Sequence, residues 1–335
     1  MRRFFITENS EEVAGFLSRW HRQTDPASWS VRSGDFATMY TTIPHTKLLN
    51  AIDKVSHEAF LWHAKRLGGR KAEDARIVWE KDRNTGEVEV RWMRTGRDDY
   101  CDTHRRSISY ADVVSDVEFL INNIYIENGD KIRRQKLGIP MGTNCSPSLA
   151  NLFLYFYESS YIDKLDNAIA RAFHNSFRYM DDTLSVDNEY WTSAIKNGMY
   201  PSELILNDTT PRDGKPTHFL GMEIATGVGN RFRISVYDKR NSFPFPVRRY
   251  PQMSSLLPTT IPYGVFVAQL HRGYRICSHA SDFITHTIDV WNRLVANGCA
   301  AARLHQLFAS FCKQRVSKYK NYSTLRLIRL LRTRL

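Results

Sequence analysis

Two adjacent acids interrupt the most strand-like stretch of the chain, Ser176-Phe177-Arg178-Tyr179-Met180-Asp181-Asp182-Thr183-Leu184-Ser185-Val186. Apolar and β-prone residues flank the pair on both sides, so the stretch reads as a strand, a tight turn and a second strand, with Asp181 and Asp182 at the hairpin tip. Carboxylates held side by side away from water repel and raise one another's pKa. A divalent cation that favours oxygen ligands, such as Mg²⁺, relieves that repulsion. An Asp-Asp pair facing water is also ordinary turn chemistry, and the pair alone leaves both readings open.

Two further stretches bear on that choice. Residues 29–44, Trp-Ser-Val-Arg-Ser-Gly-Asp-Phe-Ala-Thr-Met-Tyr-Thr-Thr-Ile-Pro, predict a strand that delivers Asp35 at its end and a turn into a helix beginning near Pro44. Asp35 is either a helix cap or a third carboxylate for a metal site. The second stretch, Gln135 to Leu154, holds Gly138-Ile139-Pro140-Met141-Gly142 and then Ser146-Pro147 opening an apolar helix. Its glycines allow a sharp turn and close backbone approach. A Gly-rich loop that opens a helix can cradle phosphate or base, and can equally be structural.

Taken in order, these stretches resemble the signature motifs of reverse transcriptases: an Asp-x-x-x-x-Tyr block at Asp35 to Tyr40, a Gly-Ile-Pro-Met-Gly block followed by Ser-Pro and Ala-Asn-Leu, and Tyr179-Met180-Asp181-Asp182. Phe219-Leu220-Gly221-Met222-Glu223-Ile224 is similar to the element that grips the primer terminus. Met39 to Pro44 is closest to the wording of the Penelope-like and telomerase-related branch. The resemblance implies a right-hand polymerase of α+β class, with an antiparallel-sheet palm, a reduced or atypical fingers region and a helical thumb. It implies RNA-directed DNA synthesis, in which Asp35, Asp181 and Asp182 ligate two Mg²⁺ ions (or Mn²⁺) and dNTP is joined to a primer 3′-hydroxyl. Phe36, Tyr40, Gly138, Met141 and Gly142 would form the nucleotide pocket. Tyr40 would collide with a ribose 2′-hydroxyl where RNA-templated RNA polymerases place an Asp. Arg212 and Lys215 are candidates for protonating pyrophosphate, and Phe219, Leu220 and Gly221 for the primer grip. Expected partners are an RNA template, a DNA primer or RNA–DNA duplex, and dNTP.

Composition agrees with a polyanion partner. The 335 residues are 42% apolar and carry a formal net charge of +12, enough to bury a large core and to attract nucleic acid. Five scattered cysteines without Cys-x-x-Cys spacing indicate reduced thiols, and the acidic turn after Phe5 fits neither a secretory signal nor a transit peptide. No apolar run approaches a membrane span. An intracellular protein, nuclear or organellar, without a membrane partner is therefore expected.

Along the chain, Asn9 and Glu12 predict a capped helix to about Trp20, followed by a polar loop through Pro26. Residues 45–134 read as a fingers-like insertion with a helix over 45–65, a hairpin over 77–92 turned at Asn84-Thr85-Gly86, and a helix over 110–124. Residues 1–44 and 135–240 would build the palm. Leu204 to Asn207, Thr217 to Ile224 and Arg231 to Tyr237 read as short strands, and a Pro-rich aromatic linker spans 241–262. Residues 263–335 form a basic helical segment with no Asp or Glu beyond Asp289. Such a lobe suits a thumb on a duplex backbone; its last basic helix could also lie on a membrane surface. Only 34 residues precede Asp35, so the chain would be a natural short form, a fragment of a longer gene, or one that borrows the fingers' basic groups from the insertion or from a protein or RNA partner. No endonuclease segment follows, so autonomous transposition is not expected. A catalytically inactive, polymerase-derived nucleic-acid scaffold is the alternative.

Overall fold

A computed structural model describes residues 5–20, 30–96, 101–212, 214–226, 231–245, 247–315, 318–319 and 323–334. Trp29, the loop through Pro26, Pro246 and Lys320 lie outside these residues. In chain order the elements are α1 (Ser10–Arg19), β1 (Val31–Ala37), α2 (Met39–Thr42), α3 (His45–Arg66), β2 (Ala75–Lys81), β3 (Val88–Arg94), β4 (Arg105–Ile108), α4 (Tyr110–Asn122), β5 (Tyr125–Asn128), β6 (Lys131–Arg134), α5 (Ser146–Ile162) and α6 (Asn167–Ala172). They continue with β7 (Ser176–Tyr179), β8 (Asp182–Val186), α7 (Trp191–Lys196), β9 (Ile205–Asp208), β10 (Thr217–Phe219), β11 (Met222–Thr226), β12 (Phe232–Val236), α8 (Thr260–Ile276), α9 (Ala280–Ala296), α10 (Ala301–Arg315) and α11 (Thr324–Arg332). The result is a mixture of helix and antiparallel sheet. Among the described residues no helix is long and apolar enough to cross a membrane.

The chain folds into two compact units built from interleaved segments: residues 1–6, 35–174 and 190–207 in one, and 7–34, 175–189 and 208–335 in the other. In the first, α3 and α5 bury Leu48, Ile52, Leu149 and Phe153 in one apolar cluster. Helix α3 starts directly after Pro44, whose fixed φ suits a helix entry. Ser109 and Asp112 cap α4 reciprocally, and Pro147 sits in the first turn of α5. Strands β3, β2 and β4 form one small sheet, and β5 and β6 a separate hairpin. Neither β4 nor the β5–β6 hairpin is among the strands expected from sequence.

In the second unit, α1 is capped as predicted by Asn9, which accepts from the Glu12 amide at 3.0 Å. Glu12 differs from the expected capping box: its carboxylate accepts from the Glu8 amide and the Thr7 hydroxyl, one and two residues upstream of the cap. Strands β10, β11 and β12 form a three-stranded sheet, whose Phe219, Met222, Ile224 and Ile234 pack with Val13 and Leu17 of α1 and Phe177 and Leu184 of β7 and β8. The segment expected as one strand over Thr217 to Ile224 is therefore a hairpin. Helices α8 to α11 bury a second core around Phe266, Phe283, Leu304 and Phe308.

Helices α8 and α9 meet closely at Gly273, where an added Cβ would lie 2.7 Å from His286 Cδ2. Burial and the nearby Arg249 and Arg272 charges push His286 down to about 4, opposed by Asp289 and a backbone hydrogen bond. The folded state thus holds this imidazole neutral. On acidification the unfolded chain takes up its proton first, below about pH 6.5, so stability falls between there and about pH 4 and levels off below. Urea unfolding should show a loss on the order of 3 kcal/mol across that window. His286→Asn should remove that part of the pH slope; an unchanged slope would refute the assignment.

Candidate functional site

Strands β7 and β8 pair from Ser176↔Ser185 to Tyr179↔Asp182, which leaves Met180-Asp181 as a two-residue turn. Phe177 and Leu184 are fully buried on one side of this ribbon, so the apolar flanks read from sequence anchor it. Met180 adopts φ +53, a left-handed conformation that costs a non-glycine residue roughly 1–2 kcal/mol. The fully buried Arg178 donates to the Met180 carbonyl at 3.3 Å and so holds the turn from beneath. Strain of this kind is kept where the surroundings over-determine it, commonly at working sites. Asp181 and Asp182 are half-buried at this tip. Thr183, next after Asp182, donates its hydroxyl to the carbonyl of Gly34, the residue before Asp35, at 3.1 Å.

The second hairpin, β10–β11, turns at Leu220-Gly221, with φ +48 and +70. Two positive φ values make the I′-type turn that matches strand twist, and Gly is suited to it. Gly221 has a second role. A Cβ there would strike the Arg272 guanidinium, which donates to the Gly221 carbonyl at 3.4 Å, while the Tyr237 amide donates to the same oxygen at 2.9 Å.

A cavity of about 480 Å³ opens between the two hairpins of this unit. Asp182, the Phe219-Leu220-Gly221 turn, His218, Tyr237, Lys239, Arg240, Arg249 and Arg272 are among its lining residues. The His218 and Tyr237 rings stack at 3.6 Å. Asp238 accepts from Arg240 at 2.9 Å and Arg249 at 2.6 Å; burial raises its carboxyl, but those hydrogen bonds and charges outweigh it and hold the group below the usual range. Burial and the Arg249 charge lower Arg272. The cavity therefore joins two acids, the half-buried Asp182 and the arginine-paired Asp238, to several cations, a wall suited to a phosphate-bearing ligand. Arg212 and Lys215, the basic residues singled out from sequence, lie exposed on the 209–215 loop and do not line it. Arg272 had no local signal: it reaches the turn only because α8 packs there.

In the other unit, Asp35 is half-buried and is the fifth of seven residues in β1, not its last. Phe36 is buried with its ring edge-on to Tyr200 at 4.8 Å, so it is a core residue here rather than an exposed pocket wall. Tyr40 lies half-buried in the single-turn helix α2, directly against the Gly138 loop. The Ile139 amide donates to the Tyr40 carbonyl at 2.7 Å and the Gly138 amide to Ile43 at 2.9 Å; His45 contacts the Gly138 carbonyl at 2.7 Å. Two motifs a hundred residues apart are thus brought together. Gly138 approaches its own chain: a Cβ would sit 2.5 Å from the Tyr40 oxygen and 2.7 Å from Thr41 Cα. Gly142, at φ +112, has open space around it, and Met141 is 76% exposed.

The consecutive carboxylates Asp181 and Asp182 supply hard oxygen donors, the ligand chemistry Mg²⁺ takes. Among the described residues, no group of three or more His, Cys, Asp or Glu side chains is arranged to hold a metal ion.

No described protein family and no curated protein matches the sequence. Among solved structures, the chain is similar over 97% of its length to apo telomerase from Candida tropicalis (12% identity, TM-score 0.46). It is similar over 98% to telomerase from Candida albicans (11%, 0.47) and from Candida tropicalis (12%, 0.47), each in complex with a TWJ fragment of telomeric RNA. It spans 50%, 55% and 46% of those chains, about half of each.

The two glycines of the 138–142 loop should respond differently to substitution. Gly138→Ala forces a backbone clash as well as a left-handed alanine and should cost well over 2 kcal/mol; Gly142→Ala meets only the conformational penalty, about 1 kcal/mol. Chemical denaturation of the two variants checks this, and equal losses would contradict the packing role.

Proposed function

We propose that the chain is a template-directed DNA polymerase of reverse-transcriptase type, copying an RNA template by joining dNTP to a primer 3′-hydroxyl. The observation that carries the reading is the cavity in which Asp182 and the Phe219-Leu220-Gly221 turn share a wall. The first belongs to the stretch that resembles a catalytic hairpin and the second to the stretch that resembles a primer grip. Their common cleft is what a primer terminus entering beside catalytic carboxylates requires. The packing of Tyr40 against the Gly138 loop supports it independently, as does the Penelope-like and telomerase-related wording of Met39 to Pro44.

On this reading β7 and β8 and the β10–β12 sheet belong to the palm, residues 45–134 serve as fingers, and the basic helices α8 to α11 form the thumb. Asp181 and Asp182 would hold Mg²⁺ together with substrate phosphate, with Asp35 the third carboxylate that the motif resemblance implies; the ion, when bound, would lower the pKa of the attacking hydroxyl and stabilise the leaving oxygen. The strained Met180 turn fixes where Asp181 and Asp182 point. Arg249, Arg272 and Lys239 neutralise backbone phosphate beside Asp182, and the Gly221 turn supports the terminal nucleotide. Tyr40 selects against a 2′-hydroxyl by shape. Nucleic-acid substrates imply a nuclear or organellar site of action, and a protein or RNA partner could complete the fingers.

Primer extension on an RNA template with Mg²⁺ and dNTPs tests this. The Asp181→Ala, Asp182→Ala double variant should lose at least about 100-fold in rate, consistent with several kcal/mol of transition-state stabilisation. Undiminished extension would end the proposal, and RNA–DNA duplex binding without extension in the unaltered protein would select the inactive scaffold. Tyr40→Ala should raise rNTP use relative to dNTP by about tenfold or more; an unchanged ratio would remove Tyr40 from the selectivity role.

A further inference from the structure

Beside the cleft of Asp182, and sharing Arg240 and Arg249 with it, lies a second cavity of about 530 Å³ in the same unit. Its wall joins the loop that follows β12 to the C-terminal end of α9 through Arg293 and Asn297. Two features distinguish it. The first is aromatic: Phe243 and Phe245 are 47% and 59% exposed, with ring centroids 5.4 Å apart at 37°. Large apolar rings left in water form a ready stacking surface. The second is charge. Arg240, Arg248, Arg249 and Arg293 line the cavity; Asp238 pairs with Arg240, Arg249 and Arg293 and Asp289 with Arg293, at 2.6 to 3.8 Å. Arg248 is exposed and has no ion pair among the described residues. Buried Tyr250 also lines the cavity, and its hydroxyl has no hydrogen-bond partner among the described residues.

We infer that this cavity binds single-stranded nucleic acid, one or two bases stacking on Phe243 and Phe245 while Arg248 and its neighbours take the adjoining phosphates. Aromatic platforms interleaved with guanidinium groups bind unpaired strands because every base offers a π-face and every linkage a charge. A duplex hides its bases from the rings, and an acidic peptide would use the arginines alone. Arg240 and Arg249 line both cavities, so the two adjoin, and an unpaired segment next to the strand end in the first lies within reach of the second. The inference does not require polymerisation: it is read by binding alone, without Mg²⁺ or dNTP, so its failure and the failure of the polymerase reading are separate results.

The test is fluorescence anisotropy of the full chain with a fluorescein-labelled oligothymidine strand and, separately, a blunt DNA duplex. Phe243→Ala with Phe245→Ala should weaken single-strand binding about tenfold or more and duplex binding less than about twofold. Arg248→Ala should reduce the slope of log affinity against log salt for the single strand by about 0.7, the loss of one phosphate contact. All three residues are exposed, so thermal unfolding should match the parent protein. Single-strand binding unaltered in the Phe variant, or an equal loss on the duplex, would overturn the inference. So would efficient displacement of the strand by dTTP that disappears in the Phe variant, which would mark a mononucleotide pocket instead.

Discussion

The β7–β8 turn is held against its own preference. Met180 sits in a left-handed conformation with a side chain attached, and two acids follow it. What keeps this arrangement is the buried Arg178 guanidinium on the Met180 carbonyl, together with Phe177 and Leu184 locked in the apolar cluster below. Burying an arginine completely costs far more than a surface contact returns, unless its hydrogen bonds are in place. The hairpin is therefore rigid where it presents Asp181 and Asp182, and the direction of those carboxylates is set by the core rather than by the turn residues themselves.

A similar economy of backbone governs the two glycines that matter most. Gly138 is needed because the Tyr40-Thr41 backbone lies where its Cβ would be; Gly221 is favoured by its φ of +70, and the Arg272 guanidinium packs into the space its missing side chain leaves. In each case a missing side chain lets a distant segment come within hydrogen-bonding reach: α2 meets the 138–142 loop in one unit, and α8 meets the β10–β11 turn in the other. The second junction brings Arg272 into a cleft with Asp182, which gathers positive charge in the cavity that this acid lines. Asp238 balances part of that charge and so orients Arg240 and Arg249, which face both cavities.

Elements specified by short-range signals were legible in the residues. Pro44 before α3, Asn9 at α1 and the Asn84-Thr85-Gly86 turn each act within four residues, so reading them needs no knowledge of the fold. The β5–β6 hairpin carried a readable signal too, since Asn128-Gly129-Asp130 is a turn sequence and Gly129 takes φ +64. The β10–β11 turn was hidden: Phe219-Leu220-Gly221-Met222 looks like continuous apolar strand, because Leu at a positive φ is a choice that local propensity opposes.

By itself, the sequence determined the acidic hairpin, the ordered motifs, the caps and the excess of basic charge, all of which follow from neighbouring residues and composition. Only the tertiary structure decided that Phe36 is core, that Gly138 serves its own backbone, and that Arg240, Arg249 and Arg272 rather than Arg212 and Lys215 stand beside Asp182. The physical reason is one of range. A turn or cap is specified over a few residues, whereas the wall of a cleft is assembled from side chains fifty or more positions apart, and their meeting depends on how the helices and sheets pack.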